Sequence, residues 1–174
     1  MAAVQARVAR RTRLRVGGAG DIPVVQALAG EIWRRHYPGI LSIEQIDYML
    51  AHGYSHEALT RFVTGDDAGL VLAEHDGRAI GFAAWYRVDD TATKLDKLYV
   101  LPEHHGAGVG RALIERVAAL ARERGAATLT LNVNRNNVGA LRAYERCGFA
   151  IRERGDFPIG NGFVMEDFIM ARAL

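Results

Sequence analysis

Cysteine is nearly missing from this chain. Cys147 stands alone, so no intramolecular disulfide can form, and C-x-x-C metal or redox sites are excluded. One unpaired thiol fits a reducing compartment, and a small packed residue near a helix end is its simplest role. The adjacent histidines His104 and His105 point in different directions and would chelate poorly, so no metal is expected. No apolar run is long enough to span a bilayer. The start lacks the apolar stretch of a signal peptide, and its arginine-rich, acid-poor character is too short for a transit peptide. The expectation is a soluble cytoplasmic protein with no membrane partner. Charge of one sign is also scarce: 22 basic against 20 acidic residues gives a formal net charge of +2. Much of that surplus sits in Arg7, Arg10, Arg11, Arg13 and Arg15. A basic tail can touch nucleic acid, but a solvated tail is the better explanation, and no nucleic-acid partner is expected.

What is present fits one domain. The 174 residues suffice for a real core, and 49% of them are hydrophobic. Residues 1–11 read as a loose extension and 12–174 as the domain. A short strand over 12–16 precedes a helix from about Asp21 to His36, where Val24, Val25, Leu28 and Ile32 recur at helical spacing. Ser42 is placed to cap a second helix to about Ala51, and a third short one is expected near 55–63. Strand-like runs follow at 70–73 and 79–85, joined through Asp76-Gly77, a hairpin signal. A further strand covers about 94–101. A strong amphipathic helix spans about 108–124, with Gly125 as its stop. Leu129, Leu131 and Val133 alternate as in a strand. A helix over 137–146 and two closing strands, 149–154 and 163–171, complete an α/β (α+β) fold with a mixed sheet.

The informative segment runs from Leu98 to Ala112. Gly106, Gly108 and Gly110 alternate between a strand and a helix. Glycine lets the backbone approach a ligand, and a helix N-terminus adds unpaired N–H donors at the positive end of its dipole. Together they suit a phosphate or pyrophosphate. The dinucleotide spacing G-x-G-x-x-G fails because Arg111 stands where the third glycine belongs, and the G-x-x-x-x-G-K-[ST] spacing fails too.

His105-Gly106-Ala107-Gly108-Val109-Gly110 resembles the Q/R-x-x-G-x-G/A signature of the GNAT superfamily of N-acetyltransferases, with His105 in place of Gln or Arg. Leu98-Tyr99-Val100-x-Pro102 and Asn137-x-x-Ala140-Leu141-x-x-Tyr144-Glu145-x-x-Gly148-Phe149 are similar to further parts of that pattern. The resemblance implies a mostly antiparallel sheet of six to seven strands, splayed to hold CoA, and an acetyl-CoA cosubstrate. It implies that backbone N–H groups of His105, Gly106, Ala107, Gly108, Val109 and Gly110 hold the pyrophosphate, with Arg111 and Ala112 opening the helix. Leu98, Tyr99 and Val100 would pair with the pantetheine arm, Asn132 would face it from the neighbouring strand, and Asn137 would hydrogen-bond to it. Tyr144 would protonate the leaving thiolate.

The base that frees the amine is less determined. Asp96 is one candidate, placed by strict alternation on the face of Leu98 and Val100; Glu31, Glu74 or a water chain are others. Trp33, His36 and Tyr37 would shape the acceptor site, or simply form a helix-end cluster. Glu166 and Asp167 would attract a cationic acceptor, or lie on a solvated edge. The implied acceptor is a small-molecule amine or polyamine, with acetylation of a protein amine, or CoA binding without catalysis, as alternatives. A second copy of the chain is a further candidate partner.

Overall fold

The computed structural model describes residues 12–174. The N-terminal extension expected at 1–11 lies outside them. Among the described residues the chain forms seven strands and five α-helices. They are β1 (Thr12–Val16), α1 (Ile22–His36), α2 (Ile43–Gly53), α3 (His56–Thr64), β2 (Ala68–His75), β3 (Arg78–Arg87), β4 (Ala92–Val100), α4 (Val109–Glu123), β5 (Thr128–Asn134), α5 (Val138–Arg146), β6 (Ala150–Gly160) and β7 (Phe163–Ala173). One sheet has the order β1-β2-β3-β4-β5-β7-β6, and only β4–β5 is parallel.

Local chemistry sets the boundaries. Ser42 and Ser55 accept hydrogen bonds from the backbone N–H of Gln45 and Ala58, at 3.1 and 3.0 Å, which caps α2 and α3. Asp21 departs from the expected capping role: its carboxylate accepts from the N–H of Gly18 and pairs with Arg15, so it fixes the approach to α1. Asp76 and Gly77 both have positive φ, the signature of the tight turn that their identity demands. The final hairpin is longer than expected. Strand β6 continues to Gly160, and Asn161-Gly162, again both at positive φ, turn the chain into β7. Tyr48 of α2 donates to the Ile159 carbonyl at 2.8 Å and packs 5.3 Å from the Phe163 ring, so helix contacts extend that arm beyond its hydrophobic pattern.

Both faces of the sheet are covered. On one, α4 packs Leu113, Val117 and Ala118 against a core containing Val71, Trp85, Leu129, Leu131 and Met170. On the other, α1, α2 and α3 cover Leu70, Leu72, Phe82 and Ala84 with Val25, Ile32, Ile46 and Phe62. Among the described residues no helix is long and apolar enough to cross a membrane. His52 and His56, four residues apart, fall on two different helices with the Ser55 cap between them.

Leu113 is fully buried on α4. Truncation to alanine there removes three buried carbons and leaves a cavity, so Leu113→Ala is expected to destabilise the domain by about 2–5 kcal/mol, measured as a lower denaturant midpoint.

Candidate functional site

Strand β4 ends at a turn, Pro102–His104, and the chain then enters α4 through the three glycines. Gly106 and Gly108 have φ of 74° and 83°, a region that L side chains rarely adopt, and Gly108 is the residue that caps α4. A Cβ added at Gly108 or Gly110 would meet nothing within 4 Å, so the space before the helix start is open to a ligand. The N–H of Ala112 closes the first helical bond, to Gly108 at 3.0 Å. The N–H groups of Val109, Gly110 and Arg111 therefore have no partner within the helix, and they form a donor set for an anion.

His105 departs from its expected part. Its N–H donates to the Pro102 carbonyl at 3.1 Å, and its Nε2 lies 2.8 Å from the Val100 carbonyl. It fastens the loop to the end of β4, and the free donors begin after it. Arg111 reaches across to the Arg146 carbonyl at 3.1 Å and so braces the start of α4 against the end of α5.

The second part of the site is a gap in the sheet. Strands β4 and β5 pair only over Ala92–Lys94 and Thr128–Thr130, then diverge. Leu98, Tyr99 and Val100 are paired on their other side to Ala83, Phe82 and Gly81 of β3. Asn132 is paired on its far side to Ile169 of β7. Two strand edges thus face each other across a wedge, with main-chain groups that no strand completes. Tyr144, half-buried on α5, sits edge-on to Phe149 at 5.8 Å. Burial raises its phenol pKa well above the ordinary value, with the Tyr37 and Cys147 groups adding to the shift, so it stays protonated at working pH.

The third part lies on the face covered by α1–α3. Trp33, Tyr37, Tyr54 and Tyr99 form one aromatic cluster, with ring centroids 4.3 Å apart for Trp33–Tyr37 and 5.6 Å for Trp33–Tyr99. The Trp33 indole donates to the Tyr54 hydroxyl at 3.1 Å, and the Tyr37 and Tyr99 hydroxyls are 3.2 Å apart. His36 Nε2 meets Asn137 Oδ1 at 3.1 Å, which ties the end of α1 to the start of α5 across the wedge. Asn137 is buried and its carbonyl oxygen is thereby engaged.

Asp96 is not where strict alternation puts it. A bulge in the β3–β4 register pairs Ala84 with Lys97 and Trp85 with Leu95, leaving Asp96 unpaired. Leu95 and Leu98 both join the α4 core, so the two residues between them turn to the opposite face. There the Asp96 carboxylate lies 3.2 Å from Lys97 Nζ, which itself sits 4.4 Å from the Tyr54 ring centre. Gln45 and Tyr54, which line this face from α2 and its end, carry no sequence signal of a site; only their contacts reveal them.

Residues 30–149 match the family model described as "Acetyltransferase (GNAT) family", and the chain belongs to that family of acetyltransferases. It is 32% identical over 154 residues to an uncharacterized N-acetyltransferase of Mycobacterium tuberculosis H37Rv, covering 88% of this chain and 98% of that protein. A spermidine N(1)-acetyltransferase of Thermoplasma acidophilum is 27% identical and is covered over 90% of its length by 84% of this chain. The solved PaiA N-acetyltransferase of the same organism, in complex with coenzyme A, shares the fold at a TM-score of 0.82 and 24% identity, with 94% of this chain and 99% of that one covered. The splayed sheet and the glycine turn fall within the matched region.

Gly108→Val places a β-branched side chain at φ 83°. It is expected to cost about 1–3 kcal/mol of stability, read as a lower denaturant midpoint, and to obstruct the donor set at the start of α4.

Proposed function

We propose that the protein transfers the acetyl group of acetyl-CoA to a primary amine on a small molecule or polyamine in the cytoplasm. The observation that carries this reading is the wedge between β4 and β5 ending at the positive-φ glycines Gly106 and Gly108. A pyrophosphate fits the N–H groups that open α4, and a pantetheine arm offers amide donors and acceptors to the unpaired edge at Leu98, Tyr99 and Val100. Asn132 and Asn137 flank that arm. The bound thioester then lies between Tyr144 on one side and the aromatic face of α1 on the other.

The chain's own residues account for most of the chemistry. An N–H on the β4 edge polarises the thioester carbonyl. Tyr144, held neutral by burial, gives its proton to the departing sulfur. The amine enters from the opposite face, past Trp33, His36 and Tyr37. The spermidine acetyltransferase among the relatives supports a small cationic acceptor.

Acetyl-CoA at 100 times its dissociation constant is expected to stabilise the fold by about 2.7 kcal/mol, a rise in Tm of roughly 5–10 °C for a chain of this size. No shift at saturating acetyl-CoA would refute the reading. Tyr144→Phe is expected to lower kcat on an amine panel by about 10²-fold with little change in KM, consistent with a lost general acid; full activity would remove Tyr144 from that role.

A further inference from the structure

One carboxylate on the acceptor face has an environment that no other acid among the described residues shares. Asp167 lies on β7 opposite Asn134 of β5. Its neighbours Phe168 and Met170 pack into the α4 core with Val133 and Leu131, so alternation turns Asp167 to the other face of the sheet. Phe163 and Met165 share that face and touch α2 through Tyr48 and Gln45. Asp167 therefore sits beneath α2 and beside the wedge, on the side from which an amine enters.

Its burial is nearly complete, at 5% exposed, and its Oδ1 is sealed from solvent without a hydrogen-bond partner. The polar and charged groups that face it come from three other elements: Asn132 on β5, Lys94 on β4 and Arg135 just beyond β5, with the Tyr37 hydroxyl nearby at the end of α1. Neither cation neutralises it by an ion pair. Arg135 is instead 2.9 Å from Asp156 and 3.2 Å from Glu166. Burial raises its carboxyl pKa above the ordinary value, against the lowering pull of Asn132, Lys94 and Arg135. A buried acid with one empty acceptor oxygen and no ion pair lacks a positive partner. An alkylammonium group supplies both a positive charge and N–H donors.

We propose that Asp167 receives the ammonium group of the acceptor and takes its proton. This rests on the acetyl-transfer reading above. The proton balance closes with the chain's own residues and solvent. The ammonium R–NH3+ gives one proton to the Asp167 carboxylate and becomes R–NH2. The nitrogen lone pair forms the C–N bond to the acetyl carbon, the C–S bond breaks, and its electron pair leaves on sulfur, which takes the Tyr144 proton. The nitrogen's second proton returns to the Tyr144 phenolate through solvent, and Asp167 releases the first to bulk water. Asp96, already engaged by Lys97 and more exposed, is less suited to this part.

Asp167→Asn keeps the shape and removes both charge and basicity. Steady-state assays with acetyl-CoA and a panel of alkylamines and polyamines, from pH 6 to 9, test the role. Asp167→Asn is expected to lose at least about 100-fold in kcat/KM for every amine that the wild type acetylates, with the pH dependence of kcat flattened on its acid side and the Tm rise with CoA unchanged. Asp90→Asn, a fully exposed acid in the β3–β4 connection, is expected to stay within about twofold and to keep the wild-type pH profile. Folding is read separately. The raised carboxyl favours the folded state at low pH, and that contribution is lost as pH climbs from the ordinary carboxylate range through the folded value. Asp167→Asn should therefore melt above the wild type by a margin that widens over that interval.

A wild type that acetylates amines, with Asp167→Asn equal to it in kcat/KM and pH profile, overturns the assignment and leaves acetyl transfer intact. A wild type that neither shifts with CoA nor turns over any amine overturns acetyl transfer itself, and the assignment with it. An Asp167→Asn protein that loses its CoA shift as well makes Asp167 a structural residue and also overturns the proposal.

Discussion

The structure turns on one short parallel seam. Three residues of β4, Ala92–Lys94, meet three of β5, Thr128–Thr130, and beyond them the strands part. Every other pairing in the sheet is antiparallel and longer. A sheet that opens in its middle leaves two edges of main-chain donors and acceptors inside the molecule, where unpaired groups are costly. A ligand with its own amides would relieve that cost, and the N–H groups after the glycine turn at the end of β4 would favour a negatively charged end there. The site is thus built into the sheet's geometry.

Because the seam parts, the two halves of the sheet must be held together elsewhere. Helix α4 does this on one face, packing Leu113 and Val117 between strands from both halves. On the other face the connection is polar: His36 to Asn137, Tyr48 to the Ile159 carbonyl at 2.8 Å, and Gln45 to the Val164 carbonyl at 3.0 Å. The difference follows from what each face must do. An apolar core closes a surface. A face with satisfied hydroxyl and amide pairs keeps the wedge lined with groups that can exchange partners when a polar substrate arrives.

Much of this was legible in the residues. Element order, the Ser42 cap, the Asp-Gly hairpin and the glycine turn all rest on local chemistry, and local chemistry survives folding. Tyr144 and Asn137 were visible as a spaced pair on one helix. What failed were inferences that cross the chain. Asp96 was misplaced because a single bulged residue reverses alternation, and the bulge depends on the register with β3. His105 was assigned a free N–H, but the turn at Pro102–His104 claims it. The extent of β6 was underestimated because its side chains alternate weakly and it is held by contacts from α2.

Asp167 belongs to the same class of hidden information, and its case is sharper. In the sequence it follows Glu166, and the two acids read alike. In the fold Glu166 points outward to Arg135, while Asp167 is buried on β7 among Asn132, Lys94 and the Tyr37 hydroxyl. One strand position separates a solvated ion pair, worth little, from a buried carboxylate with no ion pair and one oxygen unpartnered. Asparagine at 167 would keep an acceptor for Asn132 without a buried charge. A fold that keeps a carboxylate there carries a destabilising group, and such groups concentrate where chemistry requires them. The burial that makes Asp167 unfavourable for the empty protein is what brings its basicity closer to that of an amine.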